Sequence, residues 1–110
     1  MPNFPLDHLM IEPRHLELLK TLLQQHLPGG EIWAYGSRVT GLAHEASDLD
    51  LVVRHPSRLE EETPHIRALR EALTESNLPI RVDVVDWARI PDSFRQEIER
   101  TYVVIQSGSV

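Results

Sequence analysis

The chain has 110 residues, of which 41% are hydrophobic, and this size suits one domain with a single core. Seventeen acidic residues outnumber eleven basic ones, and the formal charge of −6 argues against direct nucleic-acid binding, because attraction to phosphates supplies most of that affinity. Cysteine is absent, which excludes disulfides and cysteine metal sites, and residues 1–19 resemble neither a signal peptide nor a membrane span, so we expect a cytoplasmic protein.

The first half of the chain predicts one helix and two strands. Leucines at spacings of three and four predict a helix over residues 13–27, with Pro13 in its first turn and Pro-Gly-Gly at 28–30 ending it. Residues 31–35 and 49–54 are short, apolar and β-prone, so each predicts a strand. The segment between these two strands is therefore a loop.

The second half of the chain predicts another helix and a third strand. Thr63 followed by Pro64 has the pattern of an N-cap and first helical turn, and apolar residues continue at helical spacing to about Ser76. Residues 80–87 are apolar and β-prone, which predicts the third strand.

A last helix and a β-prone tail complete the chain. Ser93 and Gln96 stand at the spacing of a capping box, which predicts a helix start there, and Phe94, Ile98 and Tyr102 mark its apolar side. The tail that follows can add a fourth strand. The element order predicts a small α/β (α+β) fold, with a mixed sheet of three to four strands covered by helices. We expect one domain over residues 1–110, with its core at about 13–105.

Acidic residues interrupt the two predicted apolar strands at 49–54 and 80–87. Strand alternation places Asp48 and Asp50 on one face while Leu49 points to the other, and Asp83 stands among apolar neighbours in the later strand. Buried unpaired carboxylates are costly, and three of them on neighbouring strands would crowd like charges together. A bound divalent cation is the natural compensation.

The residue types around these acids point to phosphate chemistry. Carboxylates with few nitrogen ligands suit Mg²⁺, which is usually held by one or two carboxylates plus substrate phosphates, and two such ions would favour in-line displacement at phosphorus. Gly36 and Ser37 follow a predicted strand and can offer backbone N–H groups and a hydroxyl to phosphate oxygens, and Arg38 adds a cation. The pattern indicates phosphoryl or nucleotidyl transfer.

Simpler interpretations exist for each part of the pattern. An isolated Asp-x-Asp is common on exposed strands, and Gly36 with Gly41 would serve equally well in a plain turn. Asp86 competes with Asp83 for the third acidic position, but it lies on the opposite face near the strand end, where exposed acids are normal, so we favour Asp83. The six histidines, including His44 in the loop, lack zinc-site spacing and are expected at the surface.

The complete pattern is similar to the fingerprint of the minimal nucleotidyltransferase domains of the DNA polymerase β superfamily. That fingerprint is Gly-Ser, ten residues, Asp-x-Asp and a third acid in an apolar strand, and the resemblance extends over residues 13 to about 105. The matching residues here are Gly36, Ser37, Asp48, Asp50 and Asp83.

This resemblance implies specific roles for the matching acids and turn residues. Asp48 and Asp50 are expected to hold two Mg²⁺ ions, and Asp83 to complete the catalytic metal site beside the acceptor oxygen. Gly36 and Ser37 are expected to seat the β- and γ-phosphates of ATP, with Arg38 as a further phosphate candidate.

Small proteins of this kind resemble the antitoxins of two-gene toxin–antitoxin pairs whose toxin is a helical HEPN ribonuclease. The implied reaction transfers AMP from ATP to a hydroxyl of the toxin, a tyrosine near the ribonuclease site, and releases pyrophosphate. Two alternatives remain open: a non-catalytic antitoxin that blocks the toxin by binding, and a small-molecule nucleotidyltransferase, for example one acting on an aminoglycoside.

Overall fold

A computed structural model describes residues 3–43 and 47–108, so His44 lies outside the described residues. Within these residues, five strands form one mixed sheet of order β1-β5-β2-β3-β4. β2 runs antiparallel to β3 and β5, whereas β1 pairs with β5, and β3 with β4, in parallel. The strands are β1 (Asn3–Phe4), β2 (Glu31–Tyr35), β3 (Leu49–Arg54), β4 (Val82–Asp86) and β5 (Tyr102–Gln106). The mixed α/β class is confirmed, with more strands than the three to four predicted.

Four α-helices accompany the sheet in the described part of the chain: α1 (Pro13–His26), α2 (Ser37–Thr40), α3 (Ile66–Glu75) and α4 (Asp92–Arg100). The helix predicted at 13–27 is confirmed as α1. None of the described helices is long and apolar enough to cross a bilayer.

The sheet has a different hydrophobic cluster on each face. Leucines of α1 and α3, such as Leu19 and Leu69, pack on the face that carries Leu49, Leu51 and Val53. The opposite face carries a smaller aromatic cluster in which α4 contributes side chains; its buried members are Trp33, Val52, Trp87 and Ile98. Because side chains alternate along a strand, Asp50 in β3 and Asp83 in β4 belong to this second face.

The start of α3 differs from the sequence prediction. The helix begins at Ile66, after His65 in a left-handed conformation with φ of 69°, rather than at Thr63-Pro64. The Thr63 backbone N–H instead donates to the Asp86 carboxylate at 2.9 Å, which ties this segment to the end of β4. A contact between residues distant in the chain therefore replaces the predicted local cap.

The strand predicted at 80–87 is shorter at both ends, because β4 covers Val82–Asp86 and Trp87 begins a short 3-10 turn. The predicted capping box at Ser93 and Gln96 is also wrong. Helix α4 begins at Asp92 with Pro91 as its N-cap and no side-chain cap, so Ser93 already lies inside its first turn. Tyr102 opens β5 instead of extending the helix.

Candidate active site

The register of β3 and β4 brings two of the predicted acids side by side. Asp50 and Asp83 are Cα partners in this parallel pair. Asp48 lies immediately before β3 and is exposed, as is Asp83, whereas Asp50 is half-buried. The tertiary structure therefore assembles at one end of the sheet acids that are separated by more than thirty residues in the chain.

The negative charges of these acids act on one another. Burial raises the pKa of the Asp50 carboxyl above its ordinary value, and the charges of Asp83 and then Asp48 raise it further. The Tyr35 hydroxyl also has a raised pKa, because of burial and then the charges of Asp50 and Asp83. The site thus holds concentrated negative charge around Asp50 and a tyrosine hydroxyl that stays protonated.

Gly36 and Asp50 are in close contact, and this contact explains why glycine follows β2. Gly36 has φ of 81° and ψ of −155°, a conformation that side chains disfavour. A β-carbon at this position would lie 2.6 Å from the Asp50 Oδ2 atom, well inside van der Waals contact. The glycine therefore allows the turn and the carboxylate to occupy the same corner of the sheet.

The Gly-Ser turn continues directly into α2. The Gly36 carbonyl accepts hydrogen bonds from the Val39 and Thr40 N–H groups at 3.0 and 3.1 Å, and these bonds close the turn. Ser37 is half-buried. Among the described residues its hydroxyl has no hydrogen-bond partner, so it can accept or donate to a ligand.

The Arg38 side chain lies inside the protein rather than in the open position that a phosphate contact would require. Its side chain is buried, with only 7% of the residue exposed. The guanidinium donates to the Ser47 carbonyl at 3.0 and 2.8 Å and to the Met10 carbonyl at 2.7 Å. Because the guanidinium points at backbone carbonyls inside the protein, this geometry argues against the phosphate role that the sequence suggested for Arg38.

Asp86 is buried rather than exposed, which corrects the expectation for that residue. Its carboxylate accepts hydrogen bonds from the Thr63 N–H at 2.9 Å and the Ala88 N–H at 3.4 Å. Asp86 lies on the face of Val84, opposite Asp83, as strand alternation predicts. It is thus a structural acid outside the charged cluster.

Asp48, Asp50 and Asp83 form a charged corner of the sheet, and this charged corner fits a metal–nucleotide complex better than a preformed metal centre. Within residues 3–43 and 47–108, no three side chains among His, Cys, Asp and Glu form a ready set of metal ligands. Mg²⁺, however, needs only one or two protein carboxylates when substrate phosphates supply other oxygens. The paired Asp50 and Asp83, with Asp48 adjacent and the raised pKa of Asp50, provide the oxygen donors and negative charge that such a complex would neutralise.

An open groove of about 550 Å³ runs along the β4 edge of the sheet and reaches Asp83. Its lining includes the side chains of Arg70 and Arg81. Arg70 donates to the Val84 carbonyl at 3.2 and 2.6 Å. The groove lies between α3 and the β4 edge, so its α3 wall belongs to the sheet face opposite the Asp83 side chain.

Sequence reasoning missed Tyr35 as a neighbour of the acids. Tyr35 is the Cα partner of Asp50 across the antiparallel β2–β3 pair and makes an edge-to-face contact with Phe94, with ring centroids 5.6 Å apart. Its position directly before Gly36, on the same strand face as Trp33, was a usable signal, because strand alternation sends both side chains to the face that bears the acids.

Known proteins share both the sequence and the fold of this chain. Residues 16–107 match the family described as "Nucleotidyltransferase domain". The chain is 46% identical over 101 residues to the "Probable protein adenylyltransferase MntA" of Haemophilus influenzae, covering 89% of this chain and 84% of that protein.

A solved structure, "Crystal structure of the toxin-antitoxin with AMP-PNP", superposes with a TM-score of 0.68 and 22% sequence identity, covering 86% of this chain and 74% of that chain. This likeness supports the fold. The family match over residues 16–107 and the 46% identity to a relative over most of both chains identify the chain as a minimal nucleotidyltransferase that belongs to the nucleotidyltransferase domain family.

Proposed function

We propose that this chain is a single-domain, Mg²⁺-dependent protein adenylyltransferase that acts as the antitoxin of a toxin–antitoxin pair. It transfers AMP from ATP to a tyrosine hydroxyl of a HEPN ribonuclease toxin. The observation that carries the proposal is the pairing of Asp50 with Asp83 beside the Gly36 turn. The similarity to a protein named as a probable protein adenylyltransferase supports protein as the acceptor class.

The Gly-Ser turn and the first two acids form the nucleotide half of the proposed site. Gly36 and Ser37 bind the β- and γ-phosphates, with the Ser37 hydroxyl available for a phosphate oxygen. Asp48 and Asp50 hold two Mg²⁺ ions. When bound, these ions supply charge neutralisation at the triphosphate and activation of the acceptor oxygen.

Asp83 belongs to the acceptor half of the proposed site, beside Asp50 on the neighbouring strand. The tyrosine oxygen forms a bond to the α-phosphorus, and the bond from that phosphorus to the oxygen bridging to the β-phosphate breaks, so pyrophosphate leaves. In this proposal Asp83 completes the metal site beside the acceptor oxygen, and the hydroxyl proton passes to solvent. Atoms and charge balance without another reactant.

Modification of the toxin explains neutralisation in electrostatic terms. An AMP group near the ribonuclease site adds negative phosphate charge, which repels RNA. In this proposal the working form is a hetero-oligomer with the toxin in the cytoplasm, where ATP is available. We propose no direct contact of this chain with nucleic acid, since its formal charge is −6.

A non-catalytic antitoxin is the second candidate, and the same acidity favours it. An acidic protein can cover a basic RNA-binding groove by charge complementarity alone. The two candidates differ in what happens when the acids are removed. A triple variant, Asp48→Asn with Asp50→Asn and Asp83→Asn, should lose protection if transfer neutralises the toxin and keep it if binding suffices.

The decisive experiment uses α-³²P-labelled ATP, Mg²⁺, this chain and a candidate HEPN ribonuclease sought among the products of neighbouring genes. We expect wild-type chain to label the HEPN protein and the Asp50→Asn variant to leave it unlabelled. The labelled HEPN protein should no longer cleave RNA. Asp92→Asn is the matched control, because Asp92 is an acid whose side chain is 84% exposed on α4. Equal labelling with Asp50→Asn would refute the assigned site. A parallel reaction adds small hydroxylated acceptors, and label on these alone would refute the protein acceptor.

A further inference from the structure

Arg38 joins two backbone segments that are far apart in the chain. It is the one arginine that is buried among the described residues, and its guanidinium reaches the carbonyls of Ser47 and Met10. The backbone also takes part, because the Met10 N–H donates to the Arg38 carbonyl at 2.8 Å. The segment around Met10 and the backbone at Ser47 are therefore both attached to the turn that follows Gly36.

The contact with Ser47 acts directly on the backbone of Asp48. The Ser47 carbonyl and the Asp48 nitrogen belong to the same planar peptide unit, so fixing the direction of that carbonyl fixes the plane from which the Asp48 side chain projects. Two donors of one guanidinium, Nε and Nη2, hold the carbonyl at 3.0 and 2.8 Å. Since the guanidinium is planar and rigid, it restricts direction as well as distance.

Asp48 needs such support because the sheet does not include it. β3 begins at Leu49, whose N–H donates to the Arg81 carbonyl at 2.9 Å. The residue after Asp48 is thus held by the sheet, and the residue before it is held by Arg38. These two attachments fix the backbone on both sides of Asp48, whose exposed carboxylate lies at the edge of the charged corner.

We infer that Arg38 is a positioning residue, which holds the Ser47 backbone against the Met10 segment and so presets Asp48 for the metal–nucleotide complex. The inference rests on the proposed function and adds to it a residue that touches neither ATP nor acceptor. It also makes the segment before α1 part of the support of the site, since Met10 exchanges two hydrogen bonds with Arg38.

The test compares Arg38→Ala and Arg38→Lys with a matched control, Gln106→Ala. Gln106 also bridges two backbone carbonyls, those of Leu27 and Gly30, both at 2.8 Å, but it does so away from the acids. Thermal unfolding first sets a temperature at which every variant is folded. Mg²⁺-dependent ATP binding without partner is then measured by calorimetry, and kcat, KM and the Mg²⁺ requirement of labelling are measured with the partner.

We expect Arg38→Ala to lower metal–nucleotide affinity and kcat by about 10- to 100-fold, as loss of a residue that orients a metal ligand typically does. KM for the partner protein should stay unchanged. Arg38→Lys should fall between Arg38→Ala and wild type, because an ammonium group cannot bind both carbonyls with the same geometry. Gln106→Ala should be less stable than wild type, with unchanged metal–nucleotide affinity and kcat.

The inference would be overturned if folded Arg38→Ala bound ATP with the wild-type affinity and had the wild-type kcat. It would also be overturned if Gln106→Ala lost as much affinity and kcat as Arg38→Ala. If Arg38→Ala does not fold, Arg38→Lys decides by the same criteria. If wild-type chain binds Mg²⁺-ATP but labels no partner, the proposed function fails, and the calorimetric comparison still decides the role of Arg38.

Discussion

The Asp50 carboxylate occupies the space where position 36 would otherwise carry a side chain: a β-carbon there would lie 2.6 Å from its Oδ2 atom. The turn at Gly36 and the acid are therefore packed against each other. Changing the turn must move the acid.

Gly36→Ala should abolish transfer, because alanine both strains the backbone at φ of 81° and displaces the Asp50 side chain. Gly41→Ala is the matched control: its φ is 86°, but no atom of residues 3–43 or 47–108 lies within 4 Å of the added β-carbon. Alanine in the left-handed conformation of Gly41 should cost about 1–2 kcal/mol of unfolding free energy. The cost at Gly36 should be about 1–3 kcal/mol before the Asp50 contact is added, because its φ of 81° and ψ of −155° lie in a region that is essentially restricted to glycine. Denaturant titrations and labelling rates compare the two, and equal activity in both variants would show that the Asp50 contact is unimportant.

Asp50→Asn should make the metal-free protein more stable at neutral pH while removing transfer. The folded-state pKa of Asp50 is raised above the unfolded value of 3.8, so the folded state favours the protonated carboxyl. Its stabilising contribution is present below that unfolded value and is lost as pH rises through the folded-state pKa. The melting temperature of wild type in EDTA should therefore fall relative to that of Asp50→Asn as pH rises from acid to neutral.

Mg²⁺ with ATP should reverse that difference, because it neutralises the crowded carboxylates of wild type only. Asp92→Asn serves again as the exposed control and should follow wild type throughout. A constant difference between wild type and Asp50→Asn across the pH range would contradict the charge crowding around Asp50.

Asp83 and Asp86 should separate into a functional and a structural acid. Asp86→Ala leaves the Thr63 and Ala88 N–H groups without their acceptor and should cost about 1–3 kcal/mol of stability. The kcat of this variant should be unchanged at a temperature where it is folded. Asp83→Ala should show the opposite pattern, with lost transfer and retained stability. If Asp86→Ala were stable but inactive, Asp86 rather than Asp83 would be the functional acid.

Arg54→Lys should disturb the aromatic cluster without changing transfer. The Arg54 guanidinium carbon lies 4.3 Å from the Trp33 ring centre and 4.7 Å from that of Trp87. Its Nε lies 2.7 Å from Glu31 Oε1, as an ion pair without hydrogen-bond alignment. Losing the planar group should cost about 1–2 kcal/mol.

Tryptophan fluorescence checks this prediction directly, because the chain has two tryptophans and both contact Arg54. Arg58→Lys is the control, since Arg58 forms an exposed ion pair with Glu61 and should cost less than about 0.5 kcal/mol. Unchanged emission and stability in Arg54→Lys would mean that the stacked guanidinium contributes nothing.

The local pattern of the sequence determined the elements and the residues of the fingerprint. Leucine spacing predicted α1, and short β-prone runs predicted β2 and β3, because the periods of helices and strands are written into neighbouring positions. Strand alternation also put Asp50 on the face opposite Leu49. The two-residue strand β1 was too short to show any period.

The tertiary structure decided which of these residues meet. That β4 lies beside β3 with Asp83 opposite Asp50 is a matter of strand order and register, which no local pattern specifies. The burial of Asp86 and the attachment of Arg38 to Ser47 and Met10 likewise depend on contacts between distant segments. The residue type limits which groups a side chain can bind, but packing in three dimensions determines which of them it meets. The Arg38 guanidinium meets backbone carbonyls of the protein itself.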